Sequence, residues 1–543
     1  MNQKLARLKI LTTVFVMLTS GRAWCDGMTN APANMTDPLL DLFVKKGYVT
    51  QQEADQVKSE AEAMQTNNGA YLLPAQSKWK ISQGIKGIEL FGDVRLRYED
   101  RAAEDPAGNQ IDLQRLRYAV RVGLRGDLFD GFYYGLRVDT SANPRSPFVT
   151  MGTATASSSY YSGPFGKSQA GLNVGEVYLG WHPEEWVDLT IGKMPNPLYT
   201  STMVWSANIA PEGFAERFKY PVGPAEFYAT FGQFLYDDLN PNFASGGLGF
   251  NGLVGQQTDD IFMFAWQGGF NYQITTNLSA KVAGTLYNYI GLRQSTVNTY
   301  ASLSPYYGDP YIGEGDYYLQ GGTGAPGYSG FGTPSTFQGY GSVNYPLNQV
   351  GLNNLTVLEI PYEFTYRIFR PGLTARLFGD FAYNLDGGQR AEAAAAAYQA
   401  VQALTPTAIP HSFPAQKGDV KAYQVGVGIG SDDIVYGPTQ GLVYGTAAPA
   451  HAWEVRTYWQ HVEQYSLDPN LLDTDFFSGV ENLQGIYVAA AYALTGDMIC
   501  TFRYGHASRI NPLLGTGGSG QDIPQINPIN TFDIYQVDFT LRF

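Results

Sequence analysis

The stretch TFDIYQVDFTLRF at residues 531–543 alternates between two kinds of side chain. The first face of an extended chain would hold Tyr535, Val537, Phe539, Leu541 and Phe543, and the second would hold Ile534, Gln536, Asp538, Thr540 and Arg542. An apolar face opposite a nearly polar one is typical of a β-strand that separates two different environments. Because an unpaired strand edge invites aggregation, we expect this strand to pair with another strand of the chain.

The same period of two recurs after residue 88 and predicts an all-β fold. The predicted strands lie near 88–100, 113–126, 131–140, 171–182, 186–193, 214–220, 225–236, 261–273, 278–290, 355–368, 373–385, 419–430, 450–462, 482–493, 498–507 and 531–543. We therefore expect a transmembrane antiparallel β-barrel of about sixteen strands, within a range of about fourteen to eighteen.

The connections between the predicted strands alternate in length. The tight turns are expected at 127–130, 183–185, 221–224, 274–277, 369–372 and 495–497. Much longer links separate them, although 431–449 is a long link where a turn is due. Short turns on one side and long loops on the other are typical of an outer-membrane barrel, in which the last strand pairs with the first.

Composition favours one barrel over the several domains that 543 residues would otherwise suggest. Charged residues make up only 15% of the chain, while glycine and tyrosine are abundant. A soluble protein of two packed sheets is the main alternative, but its outward face should be polar. Trp453, Val455 and Trp459 instead belong to a continuous aromatic and apolar face, which suits contact with lipid.

The start of the chain has the features of an export signal. A basic beginning, a short apolar run at 10–19 and a small-residue cleavage site predict a cleaved signal peptide over 1–23. Residues 24–87 are then predicted to be periplasmic, with a helical pair at about 37–65 that begins at capping residues. The outer-membrane barrel is assigned to 88–543.

Several classes of function are disfavoured. A net charge of −14 in an exported chain does not suit a nucleic-acid binder. The two cysteines supply neither a disulfide framework nor a metal site. The five histidines stand at unrelated places without spaced carboxylate or cysteine partners, so we expect no metal, no cofactor and no enzyme.

The first three predicted strands carry the clearest candidate functional residues. Their charged side chains share one parity and apolar side chains take the other, so the charged set should face a water-filled lumen. The expected channel-lining residues are Arg95, Arg97, Arg115, Arg117, Arg121, Arg125, Arg137, Asp93, Glu99 and Asp139. Two interpretations stay open: a basic wall that attracts anions, and arginines that only pair with Asp93, Glu99, Asp127 and Asp139.

The link at 194–213 is expected to fold into the lumen as a constriction loop, with Trp205, Asn208 and Glu212 as its candidate residues. Folded inward, Glu212 would be able to face the arginines. The Gly- and Tyr-rich link at 291–354 is expected to stay outside, and 391–403 is predicted to form a helix in another surface loop.

Several stretches resemble the bacterial putative-porin family of outer-membrane β-barrels, which is related in layout to phosphate-selective porins. The stretches are ELFGDVRLRYEDR at 89–101, QRLRYAVRVGLRGDLFDGFYYGLRV at 114–138, LTIGKMPNPL at 189–198, VWSANIAPEGFAERF at 204–218 and KAYQVGVGIGSDD at 421–433. The resemblance implies passive diffusion of small hydrophilic solutes or ions through a barrel that is usually a homotrimer in outer-membrane lipid. The aromatic strand ending at Phe543 is similar to the signal by which the barrel-assembly machinery recognises its clients.

Other functions for the same barrel stay open. A plugged barrel would act as a surface binding or structural protein through its long external loops. A gated, energy-coupled transporter is disfavoured because a short segment precedes the first predicted strand. Solute flux through the purified protein distinguishes a channel from a plugged barrel.

Overall fold

The computed structural model describes most of the chain after residue 83. It describes residues 84–104, 108, 110–152, 171–237, 261–290, 355–368, 372–392, 395, 415–514, 516 and 529–543. The chain divides into two units, 1–82 and 83–543, of which the second contains the barrel. The predicted signal peptide, the predicted helical pair, the 291–354 link and most of the predicted helix at 391–403 lie outside the described residues.

One antiparallel sheet of seventeen strands forms the barrel. The strands are β1 (Glu89–Glu104), β2 (Gln110–Asp127), β3 (Phe132–Asp139), β4 (Val149–Thr150), β5 (Asn173–Glu184), β6 (Val187–Lys193), β7 (Glu212–Val222), β8 (Ala225–Asp237), β9 (Ile261–Gln273), β10 (Leu278–Ile290), β11 (Thr356–Arg367), β12 (Thr374–Asn384), β13 (Lys421–Gly430), β14 (Trp453–Val462), β15 (Leu483–Ala493), β16 (Met498–Arg509) and β17 (Thr531–Arg542). Strand β4 has only two residues, which pair with β2. The other sixteen match the sixteen predicted runs, so the predicted all-β barrel is confirmed.

The barrel closes between its first and last strands. Strand β1 pairs with β2 on one side and with β17 on the other, in register from Asp93 opposite Arg542 to Glu104 opposite Thr531. Beyond that ladder, the Gly92 N–H donates to the Phe543 carbonyl at 3.0 Å, and the Phe543 N–H donates to the Gly92 carbonyl at 3.2 Å. The last strand therefore pairs with the first, as predicted, and leaves no open edge at this seam.

Side chains alternate between the two faces of the wall. On β1, Leu96 points outward and is 48% exposed, whereas its neighbour Arg97 points inward and is 3% exposed. Large exposed apolar residues recur on the outer face of the other strands as well, including Leu116, Ile191 and Val427. An apolar surface that encircles a barrel in this way belongs in lipid.

None of the helices among the described residues is long and apolar enough to cross a membrane.

The connections place the tight turns at one end of the barrel, called here the turn side, and most of the long links at the other, called the loop side. The link between β1 and β2 is shorter than the sequence suggested, because both strands extend until Glu104 pairs with Gln110. The link at 431–452, between β13 and β14, is long although it lies on the turn side.

An aromatic cluster lies inside the barrel near β12, β14 and β15. The ring of Tyr458 is 6.2 Å from that of Phe378, 4.8 Å from that of Tyr487 and 5.9 Å from that of Phe476. Small residues make room for it: a Cβ on Gly426 would lie 2.6 Å from the Phe378 ring. Part of the interior is therefore a packed apolar core, which narrows the space left for water.

The seam between β1 and β17 predicts a specific sensitivity. A Cβ on Gly92 would lie 2.7 Å from the Phe543 ring and would also collide with the Arg121 carbonyl. We expect Gly92→Val to lower the free energy of unfolding by about 1–3 kcal/mol through overpacking. Urea unfolding in lipid vesicles, followed by tryptophan fluorescence, measures the change.

Gly284→Val is the matched control for this prediction. Gly284 also lies within a strand, and a Cβ there meets no atom within 4 Å. Equal unfolding midpoints for the two variants would contradict the prediction that packing of Phe543 over Gly92 stabilises the seam between β1 and β17.

Candidate solute pathway through the barrel

The arginines of β1, β2 and β3, called here the arginine wall, point into the barrel and pair with carboxylates. The pairs are Arg95 with Asp93 at 2.6 Å, Arg97 with Asp538 at 2.6 Å, Arg115 with Glu99, Arg117 with Glu99 at 3.4 Å, Arg121 with Asp93 at 2.7 Å, Arg125 with Glu89 at 2.7 Å and Arg137 with Asp139 at 2.9 Å. Asp93, Glu99 and Asp139 pair with arginines as the second interpretation expects, whereas Asp127 makes no ion pair among the described residues. Arg97 and Arg125 pair instead with Asp538 and Glu89, which the sequence did not suggest. Only Arg125 and Glu89, at the turn side, keep half of their side chains exposed.

Arg97 is the centre of this network. Its Nε donates to Asp538 Oδ1 at 2.6 Å, and its Nη1 donates to Asp475 Oδ1 at 2.6 Å. The guanidinium also lies over the Phe148 ring, 4.0 Å from the ring centre. Arg503 on β16 donates to Asp538 as well, so two carboxylates and two guanidinium groups neutralise each other inside the barrel.

Asp475 belongs to the link at 463–482, which lies inside the barrel. Arg101 Nη1 donates to the Thr474 carbonyl at 2.8 Å, and the Ser206 N–H donates to the Leu471 carbonyl at 2.6 Å. At its other end, Asp468 Oδ2 accepts hydrogen bonds from Tyr236 at 2.8 Å and from Tyr289 at 2.9 Å. The link therefore reaches from β1 to β8 and β10.

The link at 194–211 crosses the lumen. It joins β6 to β7, yet the Tyr199 N–H donates to Gln267 Oε1 on β9 at 2.9 Å. Thr200 Oγ1 donates to Glu359 Oε1 on β11 at 2.6 Å, and Ser201 Oγ donates to Asp380 Oδ2 on β12 at 2.5 Å. These contacts on the far wall hold the middle of the link across the barrel.

The three candidate residues of that link lie in different surroundings. Trp205 is 2% exposed, and its indole Nε1 donates to the Ile209 carbonyl at 3.3 Å. Asn208 Nδ2 donates to the Arg145 carbonyl at 3.0 Å. Glu212 is the first residue of β7 and pairs with Lys193 at 2.5 Å, so it does not face the arginine wall as the sequence suggested.

A third link enters from the turn side. Within 431–452, the Val443 carbonyl accepts from Arg503 Nη2 at 2.6 Å, and the Gly445 carbonyl accepts from Arg542 Nη1. The hydroxyl of Tyr444 lies 3.4 Å from that of Thr202, where this link meets the 194–211 link. We call 194–211, 431–452 and 463–482 the inserted links.

Sequence analysis did not predict that the links at 431–452 and 463–482 enter the barrel, although the sequence contains signals of it. The link at 431–452 is long where a turn is due, and 463–482 carries five carboxylates, at Glu463, Asp468, Asp473, Asp475 and Glu481. A loop with several acidic residues is a candidate to bind inside a lumen that is lined by arginines.

The two aspartates next to Arg97 hold their protons very differently. Burial raises the pKa of Asp473 to about 7, and the neighbouring Asp475 carboxylate adds to the rise. Burial acts against the charge of Asp475 too, but Arg97 and Arg503 hold the pKa of that carboxyl below its usual range. Asp475 is therefore the anion that binds the wall.

Space remains along β7 to β12, which we call the open side. One cavity of about 400 Å³ lies in the middle of the barrel, and a second of about 490 Å³ lies next to it at the turn side. The two share five lining residues: Glu226, Asn271, Lys281, Glu363 and Tyr436. The two cavities therefore adjoin each other on the open side.

No metal site is present among the described residues, since no three His, Cys, Asp or Glu side chains there lie together in a way that can hold an ion.

Asp475→Asn tests whether this anion holds the 463–482 link against the wall. The change removes one charge-assisted partner of Arg97 but leaves Asp538, so we expect the link to lose about 1.5–3 kcal/mol of protection against opening. Amide hydrogen exchange of the link in the folded barrel measures the loss. The control is Asp433→Asn, which changes an exposed aspartate on the turn side. Equal protection of the link in both variants would show that Asp475 does not hold the link against the wall.

The raised pKa of Asp473 predicts a pH dependence of the same link. A carboxyl whose pKa rises from 3.8 to about 7 favours the folded state in its protonated form, so this stabilisation is lost as the pH rises towards 7. We expect faster opening at about pH 8 than at about pH 5 after correction for intrinsic exchange. Asp473→Asn should abolish that difference; a variant that keeps the full pH dependence would exclude Asp473 as its source.

Comparison with known proteins was made for the sequence and for the fold. A family model described as Putative porin matches residues 103–543. No curated protein matches the sequence.

Three solved structures that align with the chain are outer-membrane proteins. OmpT of Vibrio cholerae aligns with a TM-score of 0.36 at 9% identity, covering 85% of this chain and 100% of that one. The outer membrane channel DcaP of Acinetobacter baumannii gives a TM-score of 0.35 at 8% identity, covering 85% and 99%. A mutant porin of Rhodopseudomonas blastica gives 0.33 at 11% identity, covering 84% and 100%. The family model spans most of the sequence and most of the described strands, and the chain therefore belongs to the Putative porin family.

Proposed function

We propose that this porin is a passive channel for small hydrophilic solutes and ions, and that they move along the open side of the barrel. The evidence for this route is the pair of adjoining cavities of about 400 and about 490 Å³. Polar side chains line both cavities, as a water-filled path requires. We propose no enzymatic role, because the family and the fold indicate transport.

The charge of this path would come from the open side. Arg217, Lys219 and Lys281 line the central cavity together with Glu226 and Glu363. Arg97 and Arg117 are 3% and 6% exposed and are covered by the inserted links. Their charges therefore act on the carboxylates paired with them and not on a passing solute. The narrowest charged section of a pore sets its ion preference. In this proposal the arginine wall anchors links, and β7, β8 and β10 select ions.

The finer expectations from the sequence belong to the same proposal. The 194–211 link, with Trp205 and Asn208, would restrict the pore because its middle is fixed to the far wall. Export by a signal peptide over 1–23, assembly through the strand ending at Phe543, and a homotrimer in outer-membrane lipid complete the proposal.

One observation favours a second candidate. The inserted links fill the half of the barrel next to the arginine wall, as they would in a plugged barrel that acts through its surface. Conductance separates the two functions, because a plugged barrel passes no ions.

Single-channel current in a planar bilayer under a salt gradient tests the proposal. We expect stepwise conductance, and we expect Arg217→Gln combined with Lys219→Gln to move the reversal potential towards cation preference. Arg125→Gln, which removes a paired cation at the same turn side, should move it much less. An absence of current from folded, heat-modifiable barrel would favour the plugged alternative, and a larger shift from Arg125→Gln would contradict the proposed route.

A further inference from the structure

We propose that the central cavity on the open side binds a small polyhydroxylated carboxylate, such as a sugar acid, with Lys281 holding the carboxylate group. The inference deepens the proposed function and rests on it, because it places a binding site on the proposed solute path. Four observations support it: an ammonium group without an anion, buried polar atoms without partners, two aromatic rings and a local excess of positive charge.

Lys281 differs from the arginines of the arginine wall. It lies on the inner face of β10, in the sequence LSAKVAGTLYNYI, where the next inward residue is the small Ala283. Its Nζ lies 4.0 Å from the centre of the Tyr199 ring and 5.6 Å from that of Tyr228. Among the described residues it makes no hydrogen bond and no ion pair within 4 Å, whereas each arginine of the arginine wall has a carboxylate.

The same cavity contains polar atoms that find no hydrogen-bond partner in the part of the chain that the structure describes. They are the Tyr199 hydroxyl, the Tyr228 hydroxyl and Asn271 Oδ1, all buried and all on residues that line this cavity. The whole Tyr199 side chain is 8% exposed. Such atoms are rare in folded proteins, so either water or a bound solute supplies their partners in the cavity.

The donors and acceptors match the two parts of the proposed ligand. The Tyr199 and Tyr228 hydroxyls beside the Lys281 ammonium can donate to the oxygens of a carboxylate. Asn271 Oδ1 and the carboxylate of Glu226, which accepts from Asn271 Nδ2 at 2.9 Å, are acceptors for hydroxyl groups. A ligand with an anionic end and several hydroxyls satisfies both groups at once.

The charges that line the central cavity favour an anionic ligand over a neutral sugar. The cavity has three cations, Arg217, Lys219 and Lys281, and two carboxylates, Glu226 and Glu363. Arg217 and Glu363 each pair with a group outside the cavity lining, Asp188 at 3.6 Å and Arg376 at 2.6 Å, which leaves Lys219 and Lys281 against the single carboxylate of Glu226. A neutral ligand would displace water from Lys281 without giving it an anion, which is unfavourable.

Size and shape also suit the ligand. A cavity of about 400 Å³ falls within the range of about 300–1,000 Å³ found for small-molecule sites. The Tyr199 and Tyr228 rings offer apolar faces that pack against the C–H groups of a sugar acid. The second cavity leads from this site to the turn side, so the ligand has an exit.

The test uses the full barrel in a planar bilayer, with gluconate as the probe and sorbitol as its uncharged counterpart. We expect gluconate to interrupt the potassium chloride current in a concentration-dependent manner and sorbitol to leave it unchanged. Lys281→Met should raise the half-blocking concentration of gluconate about tenfold, as expected for the loss of a hydrogen bond to a charged group. Lys281→Arg, which keeps the charge, should retain the block.

Two further sets of variants separate binding from misfolding. Tyr199→Phe and Tyr228→Phe remove only the unpartnered hydroxyls, and each should weaken the block by several-fold with unchanged heat-modifiability. Lys421→Met removes an exposed lysine at the start of β13 and should leave the block unchanged. A block that persists at full strength in Lys281→Met would overturn the assignment.

The outcomes distinguish failure of the site from failure of the channel. Normal conductance with equal effects of gluconate and sorbitol would overturn the site and leave the porin intact. Inorganic phosphate that blocks as well as gluconate would overturn the assignment to carboxylates. A barrel without conductance would overturn the channel, and calorimetric titration of gluconate into the detergent-folded protein would then decide the site: heat that Lys281→Met abolishes supports it, and no heat overturns it.

Discussion

The ion pairs of Arg97 organise the interior of this barrel. One guanidinium binds Asp538 on the last strand and Asp475 on an inserted link, both at 2.6 Å. The first contact joins neighbouring strands, and the second brings twenty residues of loop into the lumen. Because Asp538 remains when the contact with Asp475 is lost, that contact is expected to contribute about 1.5–3 kcal/mol to holding the link against the wall.

The same arrangement divides the lumen into two halves. The arginine wall is neutralised by carboxylates and covered by the inserted links, while the open side keeps its space and its unpaired lysine. A basic wall read from the sequence alone suggests anion attraction at β1 to β3. The structure places those charges against Asp93, Glu99 and Asp538, where a passing solute meets little of their field.

The strands could be predicted because each one carries its own signal. In β17, Val537 and Phe539 alternate with Asp538 and Thr540, and this local period reveals both the strand and its inward face. The predicted inward arginines are found on the inner face for the same reason. Glu212 was expected in the link, but strand β7 begins at this residue, and its carboxylate pairs with Lys193 at the end of β6.

The inserted links could not be predicted in this way. The contact between Arg97 and Asp475 joins residues 378 positions apart, and no local period records it. The site around Lys281 was missed for a similar reason: its tyrosines come from the 194–211 link and from β8, so only the folded barrel brings them together. Acidic residues in a loop and a lone inward lysine in a strand are the signals that sequence analysis can use.

The distance along the chain between the partners of Arg97 has a consequence for biogenesis. Asp538 lies 441 positions after Arg97, so the charge of the first strand stays without this partner until the last strand arrives. Contacts between such distant segments form late, because the entropy of closing so long a loop has to be overcome first. Until then, the Arg97 guanidinium lacks Asp538 and stays hydrated. The ion pair at the centre of the finished interior is thus among the last contacts that the folding barrel makes.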